Sequence, residues 1–310
     1  ESDRMLKLDF SEKSLNVQRN VVCEEFKEHY INRPYGDVWH ILRKLVYEKH
    51  PYQWPTIGLE LQHVQDATLT DVENFFYKYY RPNNAILTIS GGISADNALQ
   101  LAKKWFGDIP SGEPFNRNIA MEPEQQAAKF QHVKKDVPVN VIYKAWKMPG
   151  RIEPLYYATN LLSDVLGLGE SSRLQHALKK ETKLFTDIAA YITGSIDTGM
   201  FIITGKLAEG ITYEQAEQGI QQELDKIKQA PITDAELTRV KNTVEMDIAS
   251  NNTGVMNKAE MLAIAEMLES ADLVNTEIHR YLNVDAASIH TIAQQLLTAE
   301  KCSTLYYGKD

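Results

Sequence analysis

Residues 68–92 read TLTDVENFFYKYYRPNNAILTISGG and predict a helix followed by a short strand. Thr70 and Glu73 form a capping-box pattern that marks the start of the helix. Apolar side chains then recur at helical spacing, at Val72, Phe75, Phe76 and Tyr79. The Arg-Pro-Asn-Asn turn at 81–84 ends this helix, and the apolar run at 85–89 predicts a buried strand. The order of helix, turn and strand indicates a fold built from both kinds of element.

The composition excludes several classes of protein. The chain has 310 residues, with 33 Lys and Arg against 42 Asp and Glu, and a net charge of −9. This acidic balance argues against a sequence-independent nucleic-acid binder, which needs a basic surface. No apolar run approaches the roughly 20 residues of a membrane-spanning helix. The two cysteines, Cys23 and Cys302, exclude a disulfide scaffold.

Residues 107–128 differ from the rest, because they contain three prolines, two glycines and no sustained period. We therefore predict a linker at 111–128, between a first domain at 1–110 and a second domain at 129–310.

The second domain carries alternating strand and helix signals. The predicted strands are 139–146, 185–192, 200–205 and 303–307. The predicted helices are one that begins at Pro154, a short one at 173–180, two with capping boxes at 212–228 and 233–250, and three within 255–298. Both parts of the chain run through helices into a short strand that stops at glycine. The sequence thus predicts an α+β fold of two related domains, each a β-sheet covered by helices, and the shorter first copy is expected to lack its leading strands.

No self-sufficient catalytic motif is present in the sequence. It contains no HExxH, HxxEH, GxSxG, Walker or Rossmann pattern, and no two histidines lie three to five residues apart. Glu25 and His29 are four residues apart, so both could face one metal ion. The alternative is a solvated, charged helix face. One such pair cannot complete a zinc site, which needs three protein ligands and a water.

A set of short segments resembles, in order, the insulinase, pitrilysin and mitochondrial processing peptidase family of zinc metallopeptidases, the inverzincins. These segments are QRNVVCEEF at 18–26, HPY at 50–52, PTIG at 55–58, TLTDV at 68–72, FYKYYRPNNA at 76–85, GG at 91–92 and GESSRL at 169–174. The resemblance covers nearly the whole chain and implies two related domains of the LuxS and processing-peptidase type.

The resemblance also implies a site. Members of this family bind zinc with the two histidines of HxxEH and with a later glutamate, while the glutamate of the motif acts as general base. The later glutamate corresponds to Glu25. A family acid seven residues earlier corresponds to Gln18, an amide that can orient a ligand but adds no charge. Because HxxEH is absent, we expect a fragment whose parent protein carries that motif and binds zinc, and we expect this chain alone to be inactive.

The other half of the family's active site also departs from the pattern. Where the family has an arginine and a tyrosine seven residues apart, this sequence has Lys179 and Thr186. This fits a zinc-bearing half that needs a second peptidase-like half, in cis or as a partner chain. It fits equally a non-catalytic subunit that binds peptide or scaffolds a partner.

The predicted function is therefore part of a zinc metalloendopeptidase acting on peptides or partly unfolded polypeptides. The alternative from another functional class is a helical protein-interaction module, which the predicted helices of 212–298 would suit. The sequence does not distinguish a periplasmic from a cytoplasmic location.

Overall fold

The structure, a computed structural model, describes residues 1–114 and 117–309. Its α-helices are α1 (Ser2–Leu6), α2 (Glu12–Phe26), α3 (Val38–Val46), α4 (Leu61–Asp66), α5 (Leu69–Tyr79), α6 (Ala95–Phe106), α7 (Tyr156–Gly167), α8 (Tyr213–Gln229), α9 (Asp234–Asn251), α10 (Val255–Leu268), α11 (Leu273–Leu282) and α12 (Ala286–Leu296). Its strands are β1 (Lys129–Lys134), β2 (Val141–Met148), β3 (Phe185–Ile192), β4 (Gly199–Leu207) and β5 (Cys302–Gly308). Short π-helical segments cover Lys27–Ile31 and Gln175–Glu181, and 3-10 turns cover Pro51–Gln53 and Pro82–Asn84.

The described residues form two compact units that interleave along the chain. The first consists of Glu1–Asp37, Trp54–Ala120 and Asn251–Asp272, and the second of Val38–Gln53, Met121–Ser250 and Leu273–Asp310, each without its undescribed positions. The division of the whole protein at 1–110, 111–128 and 129–310 stays a prediction. Two residues of the predicted linker, Phe115 and Asn116, lie outside the described residues.

A five-stranded sheet forms the centre of the second unit, with the strand order β1-β5-β2-β4-β3. β1 and β5 run parallel, and the other neighbouring pairs are antiparallel. The central strand β2 buries side chains on both faces, as a strand covered on two sides must. The α+β class predicted from the sequence is therefore confirmed, with one helix-covered sheet in the described part of the chain.

Helices cover both faces of this sheet. α7, α8 and α12 pack on one face. Their contact with the strands forms one apolar core, which includes Ile142, Trp146, Leu161, Phe201, Leu224 and Ile289. On β2 and β5, Val141 and Leu305 alternate with core residues and are buried as well. α3 packs against β1, β2 and β5 and buries Leu42 and Val46 completely, so it covers this opposite face.

The predicted capping boxes of α8 and α9 are confirmed. The Gln215 backbone N–H donates to Thr212 Oγ1 over 3.3 Å, and the Thr212 backbone N–H donates back to Gln215 Oε1 over 3.0 Å. α9 repeats this arrangement at the predicted positions.

The capping prediction for α5 was wrong by two residues. Thr68, not Thr70, caps the helix, and Thr68 N–H donates to Asp71 Oδ2 over 2.9 Å. The two patterns overlap in the sequence, and capping at Thr68 brings Leu69 into the first turn.

The first unit contains helices and no strand in its described residues. The strand predicted at 85–89 is not formed, although Ala85 has an extended backbone. Ile86, Leu87 and Ile89 are exposed rather than buried. A strand requires a neighbour that accepts and donates its backbone hydrogen bonds, and no described residue supplies one. Thr88 instead donates its hydroxyl to the Ala259 carbonyl of α10 over 2.9 Å.

Candidate functional site

Glu25 lies near the end of α2, in the first unit, and its side chain is exposed. Gln18 lies two turns earlier on the same face and is exposed too. Val17 and Val21, which occupy the same side of the helix, are both more than half exposed. We call these four residues the α2 face. It combines an exposed carboxylate with two half-exposed apolar side chains.

The described residues do not complete a zinc site. Zinc needs three protein ligands at a catalytic centre, and no group of three His, Cys, Asp or Glu with that potential occurs within 1–114 and 117–309. His29, the nearest candidate partner of Glu25 in sequence, lies in the π-helical segment Lys27–Ile31, where the α-helical register of α2 ends. Both side chains are exposed. Glu25 can therefore offer a metal one carboxylate, and further ligands would have to come from other residues.

The two positions that depart from the family pattern lie in the second unit. Lys179 belongs to the π-helical segment Gln175–Glu181 and is partly buried. Thr186 lies on β3, is exposed, and donates its hydroxyl to the Lys206 carbonyl over 3.3 Å. Neither side chain can supply the planar guanidinium or the phenol of the family pattern.

A cavity of about 940 Å³ opens beside Thr186, within the second unit. Its floor is aromatic: Phe130 and His132 of β1, Tyr213 of α8 and Tyr306 of β5. The rings of Tyr213 and Tyr306 stack with centroids 4.2 Å apart and planes 5° apart. Phe130 and Tyr306 form a T-shaped pair with a centroid separation of 4.9 Å. We call these four residues the aromatic floor.

A buried polar network lies directly next to this floor. Tyr306 donates its hydroxyl to Glu217 Oε2 over 2.5 Å, and the buried Lys144 ammonium donates to Glu217 Oε1. Burial would raise the pKa of Glu217, but the hydrogen bonds from Lys144 and Tyr306 outweigh it and lower the pKa. Burial, and then the hydrogen bond to Glu217, raises the pKa of Tyr306. The network therefore keeps the Tyr306 phenol neutral and its ring fixed in the cavity.

This cavity is not among the sites predicted from the sequence, which contains only a weak signal for it. Phe130 and His132 are two residues apart on one strand and so share a face. β1 and β5 pair in a register that places His132 opposite Tyr306, and the sequence alone does not define this register.

Comparison with known proteins shows that the fold is of the peptidase-like class. It also identifies the family. Residues 66–244 match the family described as the Peptidase M16 inactive domain. The match spans more than half of the chain, so the chain belongs to this family. The resemblance to zinc metallopeptidases found in the sequence is confirmed. Glu25 and Gln18 lie outside the matched range.

Similar proteins extend the likeness over nearly the whole chain. The zinc protease PqqE of Helicobacter pylori is 25% identical over 308 residues, which are 98% of this chain and 69% of that protein. The crystal structure of a protease from Helicobacter pylori superposes with a TM-score of 0.92 at 26% identity, covering 99% of this chain and 75% of the other. The first half of the periplasmic protease PqqL from Escherichia coli shares the fold, with a TM-score of 0.78 at 17% identity, over 100% of this chain and 69% of the other.

Proposed function

We propose that this chain is part of a zinc metalloendopeptidase that hydrolyses peptides, and that Glu25 is one of its zinc ligands. The other ligands then come from an HxxEH segment outside this sequence, so the chain alone is inactive. Gln18 contributes an amide that can orient a metal ligand by hydrogen bonding. The peptidase needs a second peptidase-like half, which either belongs to the same polypeptide or is a partner chain. The likeness to a zinc protease and to a protein described as a first half supports this proposal.

The surface of the first unit is the observation that carries the proposal. Large apolar side chains are exposed on several of its elements: Val17, Val21, Phe75, Ile86, Leu87, Trp105, Ile264 and Met267. Large exposed apolar side chains on several elements of one unit support an interface with another polypeptide segment. The segment at 85–89, which pairs with no strand among the described residues, can offer backbone groups to an added strand. Glu25 lies on this same incompletely covered unit, where a covering segment can supply the remaining ligands.

The decisive experiment uses the parent protein and two isosteric substitutions. Glu25→Gln is expected to lower the zinc content per chain, measured by atomic absorption after dialysis, by more than about tenfold, because an amide is a poor metal ligand. Glu28→Gln, which removes an exposed carboxylate on the next turn, is the matched control and leaves zinc content unchanged. Cleavage of an internally quenched peptide is expected to fall together with zinc content.

Two outcomes contradict the proposal. Peptide hydrolysis by a verified preparation of the 310-residue chain would show that no outside segment is required. Unchanged zinc content in Glu25→Gln would remove Glu25 from the metal site.

A second candidate function is a non-catalytic peptidase-like subunit that binds peptide or scaffolds a partner. Lys179, Thr186 and Gln18 favour it, because none of them supplies the chemistry of the family residue it replaces. A parent gene without HxxEH upstream of Glu1 would establish this candidate and would make Glu25 an ordinary surface acid.

A further inference from the structure

We propose that the cavity beside β1 in the second unit binds the arginine side chain of a peptide, with the guanidinium stacked on the aromatic floor and paired with carboxylates at the rim. The choice of a peptide as ligand rests on the proposed function. The site itself rests on the side chains of the second unit and uses neither Glu25 nor Gln18.

The aromatic floor offers the geometry that a flat cation prefers. Cations bind over ring faces within about 6 Å of the centroid, and arginine also stacks as a plane. Phe130 is 61% exposed, so its ring is available to a ligand. Tyr306 is held by its hydrogen bond to Glu217 and by its stack on Tyr213, so the floor is rigid before a ligand arrives.

The rim of the cavity favours positive charge. Glu209 and Glu214 line it, and both are exposed. Hydrogen bonds from its own backbone N–H and from the Thr212 hydroxyl lower the pKa of Glu214, so it is ionised at neutral pH. The one lysine among the lining residues, Lys309, forms an ion pair with Asp136 over 3.0 Å. The carboxylates therefore outnumber unpaired cations at the opening.

His132 adds a polar group that the protein leaves unsatisfied. Its Nε2 atom is buried and has no hydrogen-bond partner in the described part of the chain. Buried ring nitrogens of this kind are normally paired, with protein or with water. In its neutral form with the proton on Nδ1, His132 accepts a hydrogen bond at Nε2, and a guanidinium is a donor without acceptors.

The cavity is also larger than one side chain requires. A volume of about 940 Å³ leaves room for the peptide backbone on both sides of an arginine. β1 is an edge strand, paired on one side with β5, so its other side can hydrogen-bond an extended peptide.

The test measures binding by the chain itself, without hydrolysis, by isothermal titration and by NMR of the aromatic rings. The probes are short blocked alanine peptides with a central Arg, Lys or Leu, together with free arginine amide. We expect the Arg peptide to bind at least about tenfold more tightly than the Leu peptide, and to shift the ring signals of Tyr306 and His132.

Surface substitutions locate the site. Phe130→Ala and Glu214→Gln are each expected to weaken binding of the Arg peptide about three- to thirty-fold, because each removes one cation contact. The matched controls are Phe75→Ala and Glu181→Gln. They remove a ring about as exposed as Phe130 and an exposed acid that does not line the cavity, and they are expected to leave binding unchanged. His132→Phe keeps the ring, so a loss of affinity there reports on Nε2 itself.

Equal affinity for the Arg and Leu peptides, or no effect of Phe130→Ala and Glu214→Gln together, would overturn the proposal. Lys binding as tightly as Arg would overturn the stacked guanidinium, and free arginine amide binding as tightly as the peptide would overturn the peptide ligand. Because no zinc and no cleavage are involved, a failure here leaves the peptidase proposal untouched.

Discussion

Replacing Glu122 by Gln is expected to destabilise the second unit strongly. The Glu122 side chain is completely buried. Its Oε1 accepts the N–H of Glu48 over 2.9 Å, and its Oε2 accepts those of Lys49 and His50 over 3.0 and 2.9 Å. Lys147 of β2 donates its ammonium to Oε1 over 2.5 Å. One carboxylate thus ties the segment after α3 to the sheet.

The magnitude follows from the protonation of this carboxylate. Burial would raise its pKa, but the bonds from Lys147 and from the three backbone N–H groups outweigh burial and lower it to about 2. Relative to an ordinary glutamate near 4.3, this represents about 3 kcal/mol of folding free energy. Because the pKa is lower in the folded state, the contribution is present at neutral pH and is lost as the pH falls from about 4.3 towards 2. Gln keeps the shape but turns an NH₂ group towards N–H donors, so the expected loss at pH 7 is about 2–4 kcal/mol.

Urea unfolding followed by circular dichroism and tryptophan fluorescence measures this loss. Hydrogen exchange of the amides of residues 48–50 reports the same opening locally and is expected to accelerate in Glu122→Gln. The matched control is Glu48→Gln, whose carboxylate is 51% exposed and pairs with Lys129. It is expected to change stability by less than about 1 kcal/mol. A midpoint at pH 7 equal to that of the unaltered chain, or a difference that does not shrink at pH 3, would refute the reasoning.

Two further substitutions probe the packing of the second unit. Gly167→Ala places a Cβ 1.9 Å from the Ala190 amide nitrogen, and we expect thermal unfolding to show a loss of about 3 kcal/mol. Gly210→Ala, where φ is +77° and the space is open, costs about 1 kcal/mol from backbone strain alone, and equal effects would contradict the clash. At Asp164, burial raises the pKa to about 7 against the opposing charge of Arg239. The folded state then binds the extra proton, so stability falls as pH rises from about 4 to 7. Asp164→Asn is expected to flatten that part of the profile in urea titrations and to be the more stable form at pH 8, and an unaltered slope would contradict the shift.

Local patterns in the sequence predicted the second unit well. The predicted strand at 185–192 is β3, and the caps at Thr212 and Thr233 are where the sequence placed them. These features depend on interactions within a few residues, so neighbouring sequence is sufficient to define them. The strand predicted at 85–89 was wrong, because a strand depends on a partner strand that its own residues cannot specify.

The sequence by itself determined the family and the α+β class, because ordered motifs and caps are encoded over short distances. The role of Glu25 stays a prediction. Tertiary structure alone decided that α3 covers the sheet of the second unit, that Glu122 holds the segment after it, and that four rings from three elements form one cavity. The four rings come from positions as far apart as Phe130 and Tyr306. Only the pairing of β1 with β5 and the packing of α8 on the sheet bring such positions together, and long-range register of this kind is a property of the folded chain.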